Sequence, residues 1–315
     1  MQALAARSRR SPRPALDDPA RFYAYENRIA LDEGALLRFA WEDRLPLVRG
    51  EVNGIPLRAI PDTAAYGPML YLDWVAAQAC DAYLPGFDRR LAQPEARGGY
   101  DWSVPGFVDR AEFGGLGLAA GARIEIVEPV PYAVFGREAV PAEQRGLIGI
   151  GQITTHLLFR WRSVWNLPAG TVALAPEAPE LELPPGSQPV AARWEPGTRR
   201  VWLTVATRAK TLELLLDTGS QLTILPLDAL PDDVRLDEDS AFREASAEES
   251  SFVVLRRATL DVLRLGDVEL RDLEIAVTTG GEDAPEPTLA GFDLRDLGLV
   301  FHPQAQAVHL FEPEE

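Results

Sequence analysis

Leu214-Leu215-Leu216-Asp217-Thr218-Gly219-Ser220, continued by Gln221-Leu222-Thr223-Ile224-Leu225, is the stretch from which the rest of the chain is read. An apolar run enters Asp-Thr-Gly, and a second apolar run leaves it at once. The pattern predicts a strand, a tight turn carrying one carboxylate, and apolar packing on both sides. Such a carboxylate is fixed in place and partly dried, the two conditions that shift a carboxyl pKa toward acid-base use.

The pattern has an upstream counterpart. Ile55-Pro56-Leu57-Arg58-Ala59-Ile60-Pro61 leads into Asp62-Thr63-Ala64-Ala65, and Leu47 to Gly54 precedes it as Val201 to Ala206 precedes the second copy. Downstream, Leu147-Ile148-Gly149 is matched with Leu289-Ala290-Gly291, and Thr171-Val172-Ala173-Leu174 with Ala307-Val308-His309-Leu310. Gly149 lies 87 positions after Asp62 and Gly291 lies 74 after Asp217, so an insertion is expected between Pro85 and Gly106. Motif order preserved together with motif content argues for two copies of one unit.

These residues resemble the aspartic proteases of the pepsin and retropepsin type, whose signature is an apolar strand followed by Asp-Thr-Gly-Ser/Thr/Ala. The resemblance covers about Leu47 to Leu310. It implies a mainly β fold with two tandem acid-protease (retropepsin-like) β-barrel lobes, a pepsin-like bilobal arrangement and few short helices. The division expected is a tail over 1–23, a first lobe over 24–175, a Pro-rich acidic linker over 176–190 and a second lobe over 191–315. It implies Asp62 and Asp217 as a catalytic dyad that activates water against a peptide bond, needing no cofactor and no metal. Thr63 and Thr218 are expected to hydrogen-bond across the two turns, and Ser220 to donate to the outer oxygen of Asp217. Gly219 is expected to let the backbone turn sharply and approach a carboxylate. Where the family has that Gly, the first copy has Ala64, whose methyl is expected to crowd the facing turn or force a left-handed backbone into strain of about 1–2 kcal/mol. The segment Gly98 to Gly106 is the candidate flap over a substrate.

The chemistry follows from the pair. Two carboxylates a few ångströms apart do not both ionise cheaply, so they share one proton. One takes a proton from water as it attacks the amide carbon, and the other protonates the carbonyl oxygen. The partner expected is a peptide or protein substrate, cleaved by a monomer. Two alternatives stand beside this: a homodimer pairing Asp217 with Asp217, and a catalytically silent peptide- or protein-binding module on the same fold.

Composition bears on partners. Acidic residues number 48 and basic residues 31, a net charge of −17. A nucleic-acid backbone is repelled by that charge, and the Arg7-Ser8-Arg9-Arg10 cluster lies in a polar, Pro-containing start. Cys80 is the single cysteine, so neither an internal disulfide nor a cysteine zinc site is expected; it reads as a small buried residue. His156, His302 and His309 lack metal-site spacing. The Gly146 to Gly151 run lacks the Lys-Ser/Thr of a phosphate loop, and Trp161 and Trp165 read as packing residues. No run approaches the ~20 apolar residues of a membrane span. The start shows no signal-peptide core, which reads as cytoplasmic as given, or exported if a leader is missing. Helices are expected only at Leu72–Ala82 and around Arg295. Leu236–Ser250 and Thr279–Pro287, both acidic, are expected as solvated loops.

Overall fold

The computed structural model describes residues 29–30, 34–65, 70–73, 80, 103–118, 122–127, 150–175, 183–245, 252–278 and 285–313. These residues form a mainly β protein. The first half carries β1 (Ile29–Ala30), β2 (Ala35–Glu42), β3 (Leu45–Val52), β4 (Ile55–Pro61), β5 (Leu70–Asp73) and β6 (Ser103–Val108). After these come β7 (Ala111–Phe113), β8 (Leu116–Leu118), β9 (Ala122–Val127), β10 (Ile150–Ile153), the short helix α1 (Thr155–Leu158), β11 (Arg162–Asn166) and β12 (Thr171–Ala175). The second half carries β13 (Gln188–Val190), β14 (Ala192–Trp194), β15 (Val201–Ala206), β16 (Thr211–Asp217), β17 (Thr223–Pro226) and β18 (Leu236–Ala245). It ends with β19 (Phe252–Leu265), β20 (Val268–Thr278), β21 (Thr288–Ala290), β22 (Gly298–His302) and β23 (Ala307–Phe311).

Period-2 alternation sets these strands. Val201-Trp202-Leu203-Thr204-Val205-Ala206 buries every second residue, and β2 buries Ala35, Leu37 and Phe39 while Leu36, Arg38 and Ala40 face outward. Asn53-Gly54, with φ of 52° and 79°, closes the β3–β4 hairpin, because positive φ at both central residues matches the strand twist.

The two halves share one topology. In the second, β15, β16, β21, β17, β20 and β19 are neighbours in that order, and a β15–β19 pairing closes them into a six-stranded barrel. Their contacts alternate antiparallel, parallel, antiparallel, parallel, antiparallel. In the first half, β3, β4, β10, β5, β9 and β6 follow the same order with the same senses. There β3 pairs onward with β7. A further run, β13-β23-β22-β11-β12-β2, takes strands from both halves. Across it, Trp165, Phe301, Phe159 and Trp194 pack with ring centroids 4.7 to 6.4 Å apart. Buried aromatic pairs of this kind add about 0.5–1.5 kcal/mol each beyond their area.

The structure corrects several expectations. Leu236–Ala245, expected as a loop, is β18, the last strand of its sheet; charges that suggest a loop also suit an exposed edge strand. Residues 246–251 and 279–284 lie outside the described residues. The end of the expected linker is β13, whose Pro189 pairs with His309 at the sheet margin, where a residue without an N–H is tolerated. Of the helix expected over Leu72–Ala82, Leu72 and Asp73 belong to β5 and Cys80 lies in a turn with its side chain buried; the remainder is outside the described residues. Near Arg295 the chain makes a 3-10 turn over Gly291–Leu294. Trp165 is fully buried, and Trp161 packs at the margin of the same core.

The repeat also has a different register from the one expected. Pro61 pairs with Ile153 as Leu216 pairs with Leu289. Thr155, and not Gly149, is therefore the counterpart of Gly291. The reason is local packing. A Cβ at Gly291 would stand 2.6 Å from Thr218 Cγ2, so the second half needs Gly there. The first half instead starts α1, with the Thr155 N–H donating to Ala65 O at 2.9 Å and its hydroxyl to Thr198 O at 2.5 Å.

Candidate active site

Strand pairing brings the two Asp-Thr turns together. Asp62 follows β4 and is buried, 5% exposed, while Asp217 ends β16 and is half-buried. The Thr63 N–H donates to Thr218 Oγ1 and the Thr218 N–H to Thr63 Oγ1, each at 3.1 Å. The Thr63 hydroxyl donates to Leu216 O at 2.7 Å, and the Thr218 hydroxyl donates to Pro61 O. Each threonine thus holds the other's backbone N–H and the carbonyl one residue before the other's aspartate. All of this lies at zero side-chain exposure for both threonines.

The reciprocal grip sets the Asp62 carboxylate against the Asp217 turn, where a Cβ on Gly219 would overlap it, and Asp62 and Asp217 share a side-chain hydrogen bond. Asp62 Oδ1 accepts the N–H groups of Ala64 and Ala65 at 2.9 and 3.0 Å. Its Oδ2 accepts an amide N–H of Gln152 at 2.9 Å. Asp217 Oδ1 accepts the Gly219 N–H at 2.7 Å. Burial pushes the Asp62 carboxyl above the ordinary carboxylate range, while the Ala64 and Ala65 N–H groups and the hydrogen bond with Asp217 pull it back.

Gly219 is required by approach, not by backbone twist. Neither Gly219 nor Ala64 has a positive φ, so the strain expected at Ala64 is absent. A Cβ at Gly219 would sit 2.3 Å from Asp62 Oδ2 and 2.7 Å from its Cγ; the missing side chain is the space that the opposite carboxylate occupies. Ser220 also departs from expectation. Its hydroxyl donates to Leu222 O at 2.8 Å, a tighter local turn than a reach back to Asp217 allows.

The sequence reading missed two parts of the site. One is Gln152, a polar residue inside the short β10; its interruption of an apolar run is the signal that could have drawn notice. The other is the β2–β3 hairpin tip, Asp43-Arg44, at φ of 48° and 69°. Arg44 pairs with Glu274 at 2.5 Å and lies over the Phe292 ring at 5.5 Å, and Asp43 O accepts Gln221 Nε2 at 2.8 Å. Trp41 meets Phe292 edge-on at 5.3 Å. The hairpin of one half thereby braces the Asp217 turn of the other. Behind that turn, the Thr223 hydroxyl bonds Asp293 Oδ2 at 2.6 Å and accepts the Ala290 N–H at 3.0 Å. Burial raises the Asp293 carboxyl above its usual range, opposed by that hydroxyl and by Arg44 and Arg295.

Of the expected flap, 98–102 lies outside the described residues and Ser103–Gly106 belongs to β6, paired with β9. A depression of about 490 Å³ on the outer face of β2, β3 and β4, lined by Arg38, Glu42, Arg49 and Arg58 among others, contains neither carboxylate. Among the described residues no cluster of three His, Cys, Asp or Glu could hold a metal ion, and no helix is long and apolar enough to cross a membrane.

No family model and no curated protein matches the chain. Among solved structures, basic 7S globulin from soybean is similar at a TM-score of 0.47 and 9% identity, over 90% of this chain and 95% of that one. A likeness of that size supports no statement about fold or function. The membership in the pepsin and retropepsin family implied by Asp217-Thr218-Gly219-Ser220 is corrected by these findings: a strand-turn pattern this short is set by local turn chemistry and does not identify a family.

Proposed function

We propose that the chain is an aspartic-type endopeptidase, with Asp62 and Asp217 as a proton-sharing pair acting on a peptide or protein substrate. The observation that carries this reading is the facing of the two carboxylates across the reciprocal Thr63–Thr218 grip. On this reading the molecule has two lobes, one built on each copy of the repeated strand order, and each contributes one carboxylate to a cleft between them.

The chemistry needs one proton on the pair. The ionised carboxylate draws a proton from a water lying between the two, and the oxygen of that water attacks the amide carbon. The protonated carboxyl hydrogen-bonds the carbonyl oxygen and transfers its proton there as the tetrahedral intermediate forms. Collapse of the intermediate releases the amine, protonated from the pair. Fixed N–H groups on Asp62 and Asp217 hold both carboxylates oriented through the cycle. Burial of Asp62 favours its neutral form, which supports retention of one shared proton into mildly acidic solution. Because Asp62 already stands beside Asp217 within one chain, a pairing of Asp217 across two chains has no specific observation in its favour.

The test is cleavage of a peptide library between about pH 3 and pH 7, comparing wild type with Asp62→Asn and Asp217→Asn. The pair titrates as a unit, so the expected profile is a bell on the acid side, falling where both groups are protonated and again where both are ionised. Each substitution is expected to reduce cleavage at least about 1,000-fold, the order of losing an acid-base partner. Cleavage that survives both substitutions would refute the assignment.

A further inference from the structure

Gln152 occupies the middle of β10, where backbone register sets it opposite Ile60 of β4 and Tyr71 of β5. Its half-buried side chain does not extend into solvent but donates Nε2–H to Asp62 Oδ2 at 2.9 Å. That oxygen differs from its twin. Oδ1 is engaged by the Ala64 and Ala65 N–H groups of its own turn. Oδ2 is the oxygen aimed at the opposite turn, since a Cβ at Gly219 would lie 2.3 Å from it but 3.1 Å from Oδ1. Gln152 therefore grips the oxygen on the reacting side.

A carboxamide NH₂ group donates and does not accept, so this bond stabilises the carboxylate form and opposes protonation at Oδ2. With the two turn N–H groups, three donors converge on one carboxyl group. We propose that Gln152 is a positioning residue that fixes Asp62 Oδ2 toward the opposite turn and favours ionisation of Asp62 against the effect of its burial. This rests on the reading of the pair as a proton-sharing dyad. It distinguishes two residues that the Asp-Thr repeat makes look equivalent, by placing a side-chain amide donor on the reacting-side oxygen of Asp62.

The surrounding charges leave room for this control. From the β16 turn, Asp217 is the titratable group that acts on Asp62. On β4, Arg58 is engaged by Glu42 at 2.5 Å. The β5 register neighbour is Tyr71.

The experiment is a carbon-13 NMR titration of the aspartate carboxyls in the full chain, for wild type, Gln152→Met and Gln152→Glu, with pH–rate profiles on the same proteins. Met keeps the bulk and loses the donor. Glu loses the donor and adds a negative charge once ionised. The Asp62 titration is expected to rise by about one pH unit in Gln152→Met, the size of one lost hydrogen bond to a charged group. In Gln152→Glu it is expected to rise further, and the acid limb of cleavage should move up in the same order. A merely structural role would lower thermal stability and leave these midpoints in place. Unchanged Asp62 midpoints in folded variants overturn the proposal. If Gln152→Met does not fold, the Gln152→Glu titration decides. If the wild type cleaves no peptide, the peptidase reading fails by itself, while the carboxyl titration still decides what Gln152 does.

Discussion

At Gly219 the whole site depends on one missing methyl group. A Cβ there would overlap the Asp62 carboxylate at 2.3 Å, far inside any tolerated contact, and the nearest atoms belong to a short, buried, four-times hydrogen-bonded group with nowhere to move. Gly219→Ala is therefore expected to displace Asp62 and reduce cleavage at least about 100-fold, as a misplacement near 1 Å does. Its backbone φ is ordinary, so the loss of global stability should be small. Kinetics set beside thermal unfolding checks this; equal activity in the variant would mean that the carboxylates do not work face to face.

The elements that meet at the site are the turns after β4 and β16, and their shared threonines are its most deeply buried polar groups. Removing the Thr218 hydroxyl strands both the Pro61 carbonyl and the Thr63 N–H in a dry interior. Each stranded group costs about 1–3 kcal/mol. Thr218→Val is accordingly expected to destabilise by about 2–6 kcal/mol, read by denaturant unfolding. Thr63→Val should behave alike, and the double variant should fall well short of the sum, because the two hydroxyls serve one network. Additive losses would show that the turns are held independently.

At the scale of the molecule, the repeated strand order places two carboxylates from distant parts of one chain beside each other. On the proposed reading, one chain is a complete enzyme. Activity per chain is then expected to be independent of dilution through the range where sedimentation shows a monomer. A mixture of Asp62→Asn and Asp217→Asn chains should stay inactive. Recovery of activity on mixing would instead mean that Asp217 finds its partner in a second chain. Net charge of −17 favours separation of the chains at neutral pH.

Much of this was legible locally. Apolar runs marked the strands that enter the two Asp-Thr turns, and Leu214–Ser220 with Ile55–Ala65 marked the two carboxylates and both threonines, because a strand running into Asp-Thr carries its own geometry. What failed was non-local. The charged stretch at Leu236 is an edge strand because β19 lies beside it, and Thr155 takes the place of the expected Gly149 because strand pairing sets the register. What Gln152 and the Asp43-Arg44 brace hold is beyond local reading, since their partners lie 90 and 230 positions away. The amino-acid sequence by itself determined a mainly β chain with two related Asp turns, because side-chain periodicity and turn preferences act over a few residues. Only the tertiary structure decided which oxygen faces which turn, what Gly219 makes room for and what grips Asp62, because those are matters of approach distance between strands that pairing alone brings together.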